Sequence, residues 1–182
     1  MNESGNYTEF VVAQKAEGSW KTKRILLICL YVGFSIAWLG GMVGILKLWP
    51  LGMFTPLFTI ILIFFTWRYV SVEHEYIIVS GTITFTEIYG GRSRRQKLEC
   101  KIKDFEKIAP MTDEYKDIYA AKDITAVYDF RGSTATPDAY FAAFRTKDGK
   151  KAVVYFEATA KALKIFQFYN RQGTVMSTTL RY

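Results

Sequence analysis

The sequence predicts a membrane α-helical hairpin followed by a small α+β or all-β domain. Three observations predict it: two adjacent uncharged apolar runs, a switch to period-two patterning after Val72, and one amphipathic helical stretch near the end. A length of 182 residues accommodates one soluble domain plus a membrane segment. The mean hydropathy is near zero, but that average hides a concentration of apolar residues between Arg24 and Val70. Trp20, Trp38, Trp49 and Trp67, all four tryptophans, lie in or beside that stretch. The rest of the chain is polar and carries most of the net charge of +7.

The boundaries follow from these shifts: an N-terminal tail over 1–23, a transmembrane hairpin over 24–70, and a domain over 71–182. The first span, about 25–46, carries no charge. At about 1.5 Å rise per residue it crosses a hydrocarbon core of roughly 30 Å. The second, about 48–67, is uncharged and begins with Pro50 and Pro56, residues tolerated in a first helical turn. The link around Lys47 is short enough only for a tight turn, so both chain ends fall on one side. Lys15, Lys21, Lys23 and Arg24 before the hairpin, and Arg68 with the basic run from Arg92 to Lys107 after it, outweigh Lys47 in the turn. Positive-inside bias therefore puts both termini in the cytoplasm, with the hairpin multi-pass in the inner (cytoplasmic) membrane. A cleaved signal peptide lacks its small-residue cleavage site, and a buried helical pair lacks enough surrounding chain to cover it. Cys29, Gly33, Ala37 and Gly41 recur every four residues, with Gly40 and Gly44 adding a second pair. Such a stripe lets helix backbones approach closely in lipid. Gly33, Ala37, Gly40, Gly41 and Gly44 are therefore expected to pack against the second span, with dimerisation as the alternative.

In the domain, residues 76–79 and 82–88 read as strands joined by Ser80-Gly81, a two-residue hairpin signal. Further strands follow at 94–102, 105–109, 124–130, 139–146 and 152–157, with a short helix expected within 111–123. The last element is a helix over about 159–170, where Ala162, Ile165, Phe166 and Tyr169 make one apolar face. Thr159 is placed to cap its start, and Gly173 follows its end. Seven strands and a C-terminal amphipathic helix is the order of pleckstrin-homology-like domains, in which two sheets form a barrel and the helix plugs one end. An open α+β sheet with a packed helix is the alternative.

Several residues carry a closer likeness. Val72-Glu73-His74-Glu75-Tyr76, Gly81, the run from Arg92 to Leu98, Phe105 to Pro110, Asp148-Gly149-Lys150-Lys151 and Val154-Tyr155-Phe156-Glu157 together resemble an uncharacterised membrane-protein family of Gram-positive bacteria. That family is a domain-of-unknown-function group. The resemblance implies two membrane spans and a pleckstrin-homology-like tail, and it brings no activity and no catalytic residues. Thr82-Ile83-Thr84-Phe85 departs from it, where a more acidic strand is expected.

The search for chemistry yields no catalytic, cofactor-binding or metal-binding residue. His74, the one histidine, has no Ser or Cys nucleophile in a recognisable setting and reads as a juxtamembrane linker residue. No second histidine follows at zinc-protease spacing, and no glycine run fits a phosphate loop. Cys29 and Cys100 form no disulfide framework, which suits a reducing compartment. The spans contain no ionisable residue, which argues against a pump or transporter. The partners expected are the lipid bilayer and a protein partner or a second copy, with no nucleic acid, cofactor or small-molecule substrate inferred. The leading expectation is a non-enzymatic module that binds or scaffolds proteins at a groove between a sheet edge and the C-terminal helix. The alternative is an anionic-lipid sensor using Arg92, Arg94, Arg95 and Lys97 on the basic strand 92–103. A small membrane enzyme is the third reading.

Overall fold

A computed structural model of the protein describes residues 7–176. The chain divides into two compact units, one holding the residues up to Gln14, Glu73–Ile88 and those from Arg94 onward, the other Lys15–Val72 and Tyr89–Ser93.

The second unit is the helical hairpin. Its first helix, α1, spans Gly18–Leu39 and runs into a π-helical segment, Gly40–Ile45; a short α2, Trp49–Gly52, leads into α3, Thr55–Thr66. With their flanking turns, Gly18–Ile45 and Trp49–Tyr69 are both long and apolar enough to cross a membrane. In the most apolar stretch of each, only 6% and 11% of residues are buried. A core helix of a soluble protein would bury most of them; here most stay exposed, which suits two candidate membrane spans.

The inward face of the hairpin is polar. Tyr31 and Thr66 hydroxyls lie 2.7 Å apart, and Ser35 and Thr59 hydroxyls 2.9 Å apart. Trp38 packs on Phe58 at 4.9 Å and donates its indole N–H to the Leu51 carbonyl at 3.3 Å. These residues sit at i, i+4 and i+7 of α1, a single stripe. The small-residue stripe lies elsewhere. Gly33, Ala37, Gly40 and Gly44 are exposed, and a methyl group at Gly33, Gly40, Gly41 or Gly44 would meet open space. The expected packing of that stripe against the second span is thus corrected: hydroxyls and Trp38 took the interface, and the close-packed glycine is Gly52, against Val43.

The other unit contains eight strands, β1 Tyr7–Ala13, β2 Val72–Val79, β3 Thr82–Tyr89, β4 Ser93–Lys101, β5 Phe105–Pro110, β6 Ala126–Asp129, β7 Ala139–Arg145 and β8 Lys151–Glu157. Between β5 and β6 lies a short helix, α4, Lys116–Tyr119; α5, Ala160–Tyr169, ends the order. The strands form two four-stranded sheets, ordered β1-β2-β3-β4 and β5-β7-β8-β6. The expected closed seven-stranded barrel is corrected on both counts. The eighth strand comes from the segment read as a tail: Tyr7–Ala13 pairs antiparallel with Val79–Glu73. Its Thr8, Phe10 and Val12 turn to the covered side, and Phe10 stacks on Tyr76 with ring centroids 4.5 Å apart.

The core between the sheets is aromatic and aliphatic, with Tyr76, Ile78, Ile83, Phe85, Ile108 and Phe156 essentially inaccessible. The apolar face of α5 enters it through Ala162, Leu163, Ile165 and Phe166. Thr159 caps the helix by accepting from the Ala162 N–H at 3.2 Å. At the far end Asn170 donates to the Ile102 and Phe105 carbonyls at 3.2 and 2.6 Å, clamping the helix to the β4–β5 corner. Strand β7 is buried on both faces except at Arg145. A second cluster containing Phe141, Tyr115 and Tyr119 covers its other side, so the period-two signal there is lost. Ser80 and Gly81 both take positive φ, the turn geometry a two-residue hairpin requires.

Candidate functional site

Four strand edges border the two sheets, and three are blocked. On β5, Ile108 donates to the Gly173 carbonyl and accepts from the Val175 N–H, both at 2.8 Å, so the chain beyond α5 covers that edge. Edge β4 is guarded by charge, with Arg94, Arg95, Lys97 and Lys101 along it. Edge β6 is only four residues long. Edge β1 has none of these devices. It is seven residues long, five of them hydrophobic, and beyond its ladder with β2 its backbone makes no hydrogen bond among the described residues.

Beside that edge lies a groove of about 620 Å³, with Phe10, Val11 and Val12 on one wall and Ala160, Lys161 and Lys164 of α5 on the other. Asp138, Glu157, Ala158 and Thr159 complete it at the start of the helix. The place is of the kind expected from the sequence, a sheet edge facing the C-terminal helix, but the residues forming its strand wall were missed there. The signal was present in the alternation of Thr8, Phe10 and Val12.

A buried polar chain fixes the end of β1. The His74 Nε2 lies 2.9 Å from Gln14 Oε1, Gln14 donates its Nε2 to the Gly132 carbonyl at 3.3 Å, and the Gly132 N–H donates to Glu157 Oε1 at 2.9 Å. Satisfying the Gln14 oxygen assigns the proton to Nε2 of a neutral imidazole. Nδ1 is buried without a partner. Burial holds the His74 pKa below the usual 6.5, opposed in part by the charges of Glu87 and Asp129. The linker role expected for His74 is corrected: it is a 2%-exposed residue of β2. Gly132 is required here, because a methyl group would stand 2.5 Å from the Ala13 carbonyl oxygen.

The four basic residues singled out in the sequence do not form one free patch. Arg94 pairs with the buried Glu75 at 3.2 Å, and Lys97 with Glu87 at 3.1 Å. Arg92 belongs to the hairpin unit, where its guanidinium lies 4.7 Å over the Phe64 ring. Arg95 is exposed on β4 and already engaged by a neighbour. Cys100 is half-buried, and desolvation pushes its thiol up to about 12, which leaves it un-ionised at neutral pH. Among the described residues no three His, Cys, Asp or Glu side chains stand together as a metal site.

No curated protein and no solved structure matches this chain. A family model does match, over residues 4–176, and so runs through β1, both helices of the hairpin, both sheets and α5. The chain belongs to the family described as a bacterial PH-like domain of unknown function, DUF6106.

Proposed function

We propose that the protein is a non-enzymatic, membrane-anchored recognition module, whose PH-like domain takes up an extended segment of a partner protein along β1. The observation that carries this reading is the contrast among edges: among the described residues β1 alone keeps an unblocked backbone, and it borders a groove walled by α5. A peptide added there satisfies the free N–H and C=O groups, while alternate side chains enter the groove. The anionic-lipid reading is weaker, since Arg94 and Lys97 are already neutralised by Glu75 and Glu87.

The hairpin supplies the anchor, with the inner membrane as its location and both termini in the cytoplasm. Lys/Arg bias supports that sidedness. Connectivity supports it too: β1 precedes the hairpin and β2 follows it, yet the two are hydrogen-bonded neighbours. Both hairpin ends therefore emerge on one face of any bilayer it enters.

Site-specific photocrosslinking in cells tests the reading. A photoreactive amino acid at Val11 gives a discrete adduct, identified by mass spectrometry, that the same group at Arg95 on β4 does not give. An adduct between two copies assigns the groove to self-association. Absence of any adduct at Val11 overturns the proposal.

A further inference from the structure

The hairpin unit holds more positive charge than its own residues balance. Lys15, Lys21, Lys23 and Arg24 precede or open α1, Arg68 follows α3, Arg92 lies in the β3–β4 turn and Lys47 between the spans. Against these seven cations the unit has one carboxylate, Glu17. Two of the cations meet from distant parts of the chain. The turn Tyr89–Ser93 folds with the hairpin and not with the strands it joins. Its Gly90 donates its N–H to the Ser71 carbonyl at 2.8 Å, and a methyl group on Gly90 would stand 2.7 Å from the Arg68 Cβ. Arg92, two residues on, carries its guanidinium 4.7 Å over the ring of Phe64, in the last turn of α3. Arg68 lies over the Tyr69 ring and donates to the Tyr69 hydroxyl at 2.9 Å. Neither arginine pairs with a carboxylate among the described residues, and both are exposed, as are Phe64 and Phe65. Positive-inside bias acts on residues close to a span in sequence. Arg92 lies beyond two whole strands and reaches the span only through the fold.

We propose that Arg68 and Arg92 hold the phosphate of an anionic phospholipid whose acyl chains run along Phe64 and Phe65. This rests on the reading of the hairpin as membrane-spanning and is independent of the groove beside β1. Planar guanidinium groups match phosphate oxygens two at a time, which a diffuse basic surface does not do. The exposed rings decide between the sources of that phosphate. A free phosphate ion engages the arginines alone, whereas a lipid also covers Phe64 and Phe65 with hydrocarbon. A zwitterionic headgroup brings a further ammonium into a unit that already has seven cations and one carboxylate. The favoured headgroup is therefore one without a cation, such as phosphatidylglycerol. Arg94 and Lys97, already paired on β4, take no part.

The test reconstitutes the full chain into nanodiscs of phosphatidylcholine and phosphatidylglycerol in equal parts, and native mass spectrometry identifies the lipids the released protein retains. Phosphatidylglycerol is expected to be retained about tenfold over phosphatidylcholine. Arg68→Gln with Arg92→Gln, checked for an unchanged melting temperature, brings the retained ratio down to that of the disc. Arg92→Lys keeps the charge and the fold, and it weakens retention several-fold because an ammonium loses the two-point match. Lys21→Gln with Lys23→Gln removes the same charge from the same unit and leaves retention unchanged. Equal losses from the two double variants overturn the site in favour of diffuse attraction. Equal retention of both lipids by the unaltered chain overturns it outright, and displacement of phosphatidylglycerol by inorganic phosphate at matched concentration overturns it in favour of a free anion. A chain that enters no disc and stays monomeric without detergent overturns the membrane reading itself, and this inference with it.

Discussion

The hairpin and the PH-like domain are built on opposite plans. In the domain, apolar side chains such as Tyr76, Phe85 and Phe156 are inside and the charges, the paired Glu75 apart, are outside or partly exposed. In the hairpin, the hydroxyls of Tyr31, Ser35, Thr59 and Thr66 face inward, while Leu26, Ile36, Ile60 and Phe65 face out. One rule explains both: each unit turns toward its surroundings the groups that those surroundings solvate. Water drives the first arrangement by excluding apolar surface. In hydrocarbon that force is absent between helices, and hydrogen bonds with close packing take its place.

Truncating apolar side chains breaks this comparison most sharply. Phe156→Ala in the domain core should cost about 3–5 kcal/mol, read from thermal unfolding of the full chain in detergent. Ile36→Ala, on a side chain 66% exposed in the hairpin, should stay within about 0.5 kcal/mol by the same measurement. Equal losses would mean that the hairpin exterior is packed by protein instead of lipid.

Gly132→Ala comes next. The added methyl collides with the Ala13 carbonyl and Val12, so about 1–3 kcal/mol is lost. Hydrogen exchange should show amides of Tyr7–Ala13 losing protection first, while α5 keeps its own.

Acid should act more gently, through His74. Its pKa is lowered in the folded chain, so the unfolded chain binds the proton more readily. Stability is full above about pH 6.5, and it declines as the pH falls from there toward the folded value. The slope stays under about 1.4 kcal/mol per pH unit, the limit for one proton. Glu87 and Asp129 are the charges that act on this imidazole from neighbouring elements. His74→Gln should remove the slope between pH 5 and 7 in a series of melting curves.

The smallest effect belongs to the hairpin interior. A double-mutant cycle of Ser35→Ala and Thr59→Ala should give a coupling of about 0.6 kcal/mol, since hydroxyls freed in the apolar phase find other partners.

The sequence made legible those elements whose signal is local. Two long uncharged runs mark the hairpin, Ser80-Gly81 marks the β2–β3 turn, and Thr159 with the Ala162, Ile165 and Phe166 face marks α5. What stayed hidden depends on partners far along the chain. Strand β1 has seven residues and includes Thr8 and Glu9, and its partner lies beyond the whole hairpin. His74 looks polar in a list of residues and is buried only because that distant pairing brings Gln14 to it. Among the site residues, Lys161 and Lys164 look like the solvated face of any amphipathic helix. Their meaning comes from Phe10 and Val12 standing opposite. The basic strand was conspicuous for the opposite reason: runs of like charge are visible in sequence, and the carboxylates that neutralise them, Glu75 and Glu87, are not adjacent to them.

The order β1, hairpin, β2 also governs how the chain is made. A ribosome releases Tyr7–Ala13 first, then both apolar helices, and only afterwards the strand to which β1 binds. At about 5–20 residues per second the wait lasts several seconds. During that interval β1 is an unmated ribbon, because the whole apolar hairpin lies between it and the strand it pairs with. Completion of the first sheet thus doubles as a signal that the entire hairpin has left the ribosome.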